Sequence, residues 1–246
     1  MSLPTFITSE PFAVGQMVTL GEDETHHIRV RRLDVGARVA LLDGQGLRGE
    51  GMLVRVAKRN ATVEVDRAEL VPPRREVHLL LPIADKEHML WLAEKATELG
   101  IASWRPVNFR RSRSVGARGE GPMFTQKISA RMHAALGQSG NAWMPAIYPD
   151  ANVERAIAAA PPGVRIVLDG NAPSLASAGF GGDGPIVLVV GPEGGLEADE
   201  LQLFTDAGFA RASVGETILR FETAAIAALA VVQALLGVHS PNGSTS

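Results

Sequence analysis

The sequence predicts an α/β protein in two parts: a small β-rich module, then a parallel sheet with helices on both faces. Three observations predict it. Short alternating or apolar runs separated by turn signals fill residues 1–71. From residue 76 onward, β-branched apolar runs alternate with segments of helical periodicity, the pattern of strands joined by helical crossovers. Between them stands Pro72-Pro-Arg-Arg75, a stiff polar punctuation that reads as a linker. At 246 residues the chain is long enough to bury a substantial core in each part.

In the N-terminal part, strands are expected at Gln16–Leu20, Arg38–Leu42, Gly49–Val56 and Ala61–Val65, with Asp43-Gly44 and Arg59-Asn60 as turns. Only Glu24–Arg32 looks helical. It carries Arg29, Arg31 and Arg32, a cluster read equally as a phosphate-contacting element or as a solvated helix face. His26 and His27 have no partner at metal-ligand spacing.

The second part opens with a strand at Glu76–Pro82. The next helix has Met89, Leu92, Ala93, Ala96 and Leu99 on one stripe and Gly100 as its C-terminal cap. A short strand, Ala102–Asn108, leads into Arg105–Arg118, where Arg105, Arg110, Arg111, Arg113 and Arg118 occur without an acidic residue among them. Such a loop is either a mobile surface segment or a grip on phosphates, and five cations without an acid among them favour the grip. A helix over Thr125–Leu136, a helix from Val153 to Ala160 and a strand at Arg165–Leu168 follow. The apolar run Pro185–Val190 then reads as a buried parallel strand that breaks into Gly191-Pro-Glu-Gly-Gly195 before the helix-forming Leu196–Phe204. Three glycines in five residues allow a sharp turn or close approach to a ligand, and the carboxyl edge of a parallel sheet is where ligands bind. A second strand-to-loop-to-helix transition runs from Ala212–Val214 through Gly215–Arg220 into a helix at Glu222–Leu236. If the two strands are neighbours, both loops line one pocket.

Composition narrows the function classes. The net charge of −3 excludes a generally basic coat, yet residues 72–150 carry eleven Lys and Arg against seven Asp and Glu, and residues 151–246 four against ten. The basic charge is local. The absence of cysteine removes disulfides, thiolate nucleophiles and thiolate metal sites together. No signal peptide is visible, and Phe221–Val238, dominated by alanine and opened by Glu222, reads as a buried helix, so a cytoplasmic protein is expected. No Gly-Lys-Ser/Thr follows the glycine loop, which argues against a Walker-type nucleotidase, and no Gly-x-Ser-x-Gly occurs.

Gly191-Pro-Glu-Gly-Gly195, followed by Gly215-x-x-Ile-Leu-Arg220-x-Glu222-Thr-Ala224, resembles the SPOUT methyltransferases, and within them the uridine N3-specific methyltransferases of small-subunit ribosomal RNA. Lys95-Ala-Thr-Glu-Leu-Gly100 and His27-Ile-Arg-Val extend the likeness. The resemblance implies a PUA-like RNA-binding β-barrel over 1–71, a trefoil-knotted SPOUT domain over 72–238 and a homodimer packed through the final helix. Residues 239–246 read as a disordered tail. The implied activity is transfer of a methyl group from S-adenosyl-L-methionine to N3 of a uridine in 16S RNA, either naked or in the 30S subunit, with neither metal nor membrane involved. The family's Glu-Gln pair and following arginine are here Gly137, Gln138 and Asn141, and its N-terminal arginine is Thr5.

The cofactor site implied by the resemblance comprises Leu168, Gly191, Glu193, Gly194, Gly195, Val214, Gly215, Ile218, Leu219 and Thr223. Arg29, Arg31, Arg32, Arg110, Arg111 and Arg113 are the RNA-contacting candidates. Arg220 is the catalytic candidate, because a cation near the uracil carbonyls stabilises charge developing as the imide proton leaves. Glu222, with an ordinary carboxylate pKa of about 4.3, is expected to orient Arg220 or cap the helix rather than act as a strong base. Ribose 2′-O-methylation by the same fold, and RNA binding without catalysis, remain open alternatives.

Overall fold

The computed structural model describes residues 3–112 and 121–239, with side chains through 237. Arg113 and Arg118 of the arginine-rich segment, and the expected tail from residue 240, lie outside the described residues. The chain divides into two compact units. One holds the residues up to Arg74 together with His133–Met144, the other Arg75–Met132 and the chain from Pro145.

In the first unit, β1 (Thr5–Ile7), β2 (Met17–Leu20), β3 (Arg38–Leu42), β4 (Leu47–Val56) and β5 (Ala61–Leu70) form a sheet of order β1-β3-β4-β5-β2, with α1 (Glu22–Val30) between β2 and β3. Alternation in β4 and β5 turns Leu53, Val63 and Val65 inward onto Phe6 and Ile28, which is the period-two pattern read from the sequence. The segment His133–Met144 joins this unit because Leu136 and Ala142 are buried with Leu42. Trp143 fixes the return: its indole Nε1 donates to Val71 O at 3.1 Å, and its ring covers Gly46. Gly46 has φ +100°, and a Cβ there would stand 2.3 Å from Trp143 Cζ2, so only glycine fits. A division at residue 71 therefore captures the N-terminal part of this unit and not the returning segment.

The second unit contains β6 (Val77–Pro82), α2 (Lys86–Glu98), β7 (Ser103–Val107), the start of α3 (Pro122–Ser139), β8 (Ala146–Ile147), α4 (Val153–Ala158), β9 (Val164–Leu168), β10 (Ile186–Val189), α5 (Ala198–Asp206), β11 (Ala210–Ala212) and α6 (Phe221–His239). Its six strands run in the order β11-β9-β10-β6-β7-β8, every neighbouring pair parallel. All four residues of β10 are buried, as a strand covered on both faces requires. Phe204 of α5 and Ala156 of α4 pack with Val187 and Val189 of β10, while α6 lies against β6 and α2. Local signals set the helix ends: Asp85 accepts from Glu87 N at 2.9 Å ahead of α2, Gly100 at φ +74° follows it, and Glu197 and Glu200 form a capping box on α5.

This order puts every carboxyl strand end on one edge. The connections from β10 and from its neighbour β6 lead away in opposite directions, to β11 on one side and β7 on the other, which makes the gap between them the switch point of the sheet.

Candidate functional site

An open cleft of ≈ 590 Å³ lies beyond the carboxyl ends of β9, β10 and β11. Leu168 closes β9 at its floor. The loop after β10 supplies Gly191, Glu193, Gly194 and Gly195, and the loop after β11 supplies Val214, Gly215, Ile218 and Leu219. The two loops meet because β9 stands between β10 and β11, hydrogen-bonded to both. Nine of the ten residues expected to hold the cofactor therefore line one cleft; Thr223 lies outside it, exposed on the first turn of α6.

The lining suits a cofactor of intermediate size with a positive centre. Its volume falls within the 300–1,000 Å³ typical of small-molecule sites. Gly195 has φ +72° and open space where a Cβ would project, so the loop presents bare backbone. Ile218 is 97 % exposed, an apolar side chain without cover. Among the described residues that line it, Asp169, Glu193 and Glu216 are accompanied by one guanidinium, that of Arg211, which is paired with Asp169 through an Nε–Oδ2 bond of 2.6 Å. The lining is thus net acidic, an environment that favours a bound cation.

The arginines following β7 turn toward this site. Arg111 Nη1 donates to Gly194 O at 2.9 Å, and its Nε donates to Glu197 Oε1 at 3.3 Å. A Cβ on Gly194 would lie 3.2 Å from Arg111 Cβ, so the arginine stem packs directly on the glycine loop. Arg110 pairs with Asp199 and lies 3.8 Å from Glu197 Oε2, and its backbone N–H donates to Glu200 Oε1 at 2.9 Å. The Arg110 guanidinium holds the Asp199 carboxyl below the usual carboxylate range. In this arrangement both guanidiniums are engaged by the start of α5. Arg29, Arg31 and Arg32 are exposed in and just after α1; Arg32 has φ +55°, the one positive φ outside glycine among the described residues.

Arg220 is exposed immediately ahead of α6, and among the described residues its side chain has no hydrogen bond or ion pair. Glu222 does not reach it. The carboxylate turns inward, with Oε1 3.6 Å from His88 Nδ1 on α2 and Oε2 buried and, among the described residues, without a hydrogen-bond partner. The expected orienting of Arg220 by Glu222 is absent from this geometry: the first turn of α6 packs on α2, which directs position 222 into the interior and leaves position 220 outside. Among the described residues, no group of three or more His, Asp or Glu is placed to hold a metal ion, and no helix is long and apolar enough to cross a membrane.

A protein-family model for the RNA methyltransferase domain matches residues 71–233, and one for the RNA methyltransferase PUA domain matches residues 20–66. The chain belongs to the RNA methyltransferase domain family. It is 28% identical over 241 residues to ribosomal RNA small subunit methyltransferase E of Mycobacterium bovis, covering 94% of this chain and 90% of that protein. The structure of a ribosomal RNA small subunit methyltransferase E from Neisseria gonorrhoeae bound to S-adenosyl methionine is similar with a TM-score of 0.86 at 28% identity, over 95% of this chain and 98% of that one. A methyltransferase from Legionella pneumophila in complex with the same cofactor shares the fold, with a TM-score of 0.85 at 23% identity over 96% and 98% of the two chains.

As a member of the RNA methyltransferase domain family, the chain carries cleft residues that sequence reasoning did not single out: Asp169 and Asn171, Ser213, Thr217 and the Asp169–Arg211 pair. Asp169-Gly-Asn171 does stand directly after a predicted strand, so its place on the carboxyl edge was the available signal. His88, the partner of Glu222, carried none.

Proposed function

We propose that this protein is a cytoplasmic methyltransferase that uses S-adenosyl-L-methionine to methylate N3 of a uridine in small-subunit (16S) ribosomal RNA. One observation carries the reading: two glycine-bearing loops, from β10 and from β11, converge on a single acidic-lined cleft with the exposed Arg220 just beyond it. The relative from Neisseria gonorrhoeae, named for this activity class and bound to the cofactor, supports it.

When bound, S-adenosylmethionine supplies an activated methyl group on a sulfonium, which needs no further electrophilic assistance. The chain's residues then have three tasks. Backbone groups of Gly191–Gly195 and Val214–Leu219 hold the polar edges of the cofactor, with Leu168, Ile218 and Leu219 as apolar walls. Glu193 and Glu216 offset its positive charge. Arg220, without a side-chain partner among the described residues, stabilises negative charge on the uracil carbonyls as the N3 proton departs to solvent. Glu222 contributes by seating the first turn of α6 on α2 rather than by touching the base.

The same reading includes the homodimer and the trefoil knot that the resemblance implies. Thr223, Ala230 and Ala234 leave an exposed small-residue stripe along the otherwise apolar α6, and a second subunit would cover it. Arg29, Arg31 and Arg32 of the N-terminal unit are positioned on the surface to contact RNA phosphates.

The test is transfer of labelled methyl from S-adenosylmethionine to small ribosomal subunits lacking the modification and, separately, to naked ribosomal RNA, followed by nucleoside mass spectrometry. N3-methyluridine on either substrate is the expected product. A ribose-methylated nucleoside, or binding of RNA without transfer, would overturn the assignment.

A further inference from the structure

A second, smaller cavity of ≈ 270 Å³ opens on the same carboxyl edge, beyond β6, β7 and β8. It is lined by Trp104, Phe124, Tyr148 and Pro106, with Thr125 and Asp150 supplying its polar side chains. Its size lies just under the usual range for cofactor sites, which suits one ring system rather than a whole dinucleotide. Trp104 and Phe124 are buried in its wall, while the exposed Tyr148 ring with Pro122 and Pro149 offers flat faces, the surface on which bases stack. Arg105 alternates with Trp104 and Pro106 on β7 and does not line the cavity; its guanidinium sits 4.5 Å over the Tyr148 ring and donates to Pro149 O at 3.3 Å.

Asp150 decides which base fits. Its Oδ2 accepts from Asn108 Nδ2 at 3.3 Å, Oδ1 has no hydrogen-bond partner among the described residues, and a carboxylate accepts but does not donate. Adenine, cytosine and guanine each present an amino group to such an acceptor. Uracil presents a single N–H between two carbonyl oxygens, which a carboxylate repels. A free phosphate inside the cavity would meet the same repulsion.

We infer that this cavity is a nucleobase subsite: it takes an amino-bearing base of the substrate RNA that flanks the methyl acceptor. The cavity and the cofactor cleft lie on either side of the switch point between β10 and β6, strands that pair directly and so stand about 4.8 Å apart. A strand of RNA crossing this edge presents one base to each. The subsite gives the enzyme sequence discrimination next to its target, and the inference rests on the proposed action on RNA.

Binding of CMP, AMP, GMP and UMP to the full chain is measured by saturation-transfer NMR with excess S-adenosylhomocysteine present, so that the cofactor cleft does not register. The amino-bearing nucleotides are expected to bind at least fivefold more tightly than UMP. Tyr148→Ala, at an exposed position, should weaken them fivefold or more, and Asp150→Asn, whose amide both donates and accepts, should erase the preference over UMP. Equal affinity for all four nucleotides, or affinities unchanged in both variants, overturns the subsite. Methyl transfer by the unaltered enzyme is assayed in parallel. Loss of the nucleotide preference with transfer intact defeats the subsite alone, whereas absence of transfer defeats the proposed function.

Discussion

At the scale of single residues, the most consequential contact is between Arg111 and Gly194. A guanidinium on a loop carbonyl, with its stem against the glycine Cα, orders a segment that would otherwise lose entropy on binding a ligand. Arg111→Ala is therefore expected to raise the cofactor dissociation constant about five- to tenfold by calorimetry, a change of roughly 1–1.4 kcal/mol, while the melting temperature stays close to that of the parent. The neighbouring Arg110–Asp199 pair sets the pH range of this clasp. The folded-state pKa of Asp199 is lowered, chiefly by its hydrogen bond with Arg110, so its stabilisation is present above the unfolded carboxyl pKa of about 3.9 and is lost as pH falls through the lowered value. A cofactor-affinity profile should show no pH dependence from this pair between pH 5 and 8, where its contribution is constant, and Asp199→Asn should weaken binding across that window. Arg220→Ala has a different signature. With no side-chain partner to lose among the described residues, the variant should fold and bind cofactor normally yet transfer methyl at least a hundredfold more slowly. Near-parental turnover by the folded variant would remove Arg220 from the chemistry. Neither contrast between arginines was legible in the sequence. Arg110 and Arg111 read as free phosphate ligands because their counter-charges, Glu197 and Asp199, lie far along the chain, and pairing across such separation leaves no periodic trace.

Elements with several buried residues at a regular period were legible. Strands β3 and β10 and helices α2 and α6 stand within a residue or so of where alternation or helical spacing puts them, apart from the extended end of α6. The elements that escaped are those with too few residues for a period: β1 with three, β8 with two and the 3-10 turn at Leu175–Ser177. β11 was displaced, found at Ala210–Ala212 rather than Ala212–Val214, because its register is set by pairing with Ile166–Leu168 rather than by its own pattern. The return of His133–Met144 to the first unit was equally hidden. It depends on Trp143 meeting Gly46, a glycine that by itself reads as a turn. Gly46→Ala must strain a left-handed backbone and displace the indole, which should lower stability by about 2–3 kcal/mol. Trp143→Ala should cost a similar amount by leaving a cavity. Chemical denaturation of the double variant provides the check: because each change disrupts the same contact, its loss should fall well short of the sum of the two single losses.

At the scale of the whole molecule, the question is what covers the last helix. A helix with so few polar residues is expected to be buried on every side, yet α6 exposes Thr223, Ala230 and Ala234. Small residues at this spacing permit close approach of a second helix, and the loop that leads into α6 carries Ile218, 97 % exposed, beside the cofactor cleft. A symmetric partner docked on this stripe would put its own surface next to Ile218 and Arg220, so assembly and catalysis would be coupled. Ala230→Arg tests the coupling. Position 230 is exposed within one chain, so an arginine there should leave the isolated fold intact, but two such side chains facing each other across a twofold axis would repel and would lack room. Sedimentation equilibrium should find the parent at twice the 26.0 kDa chain mass and the variant at the chain mass. If the proposed partner covers the cleft, the variant should also lose methyl transfer, because the cleft would then stand open to water. A variant that remains dimeric would move the interface elsewhere on the molecule. One that is monomeric and fully active would show that a single chain completes its own site, leaving the exposure of Ile218 to be answered by RNA alone.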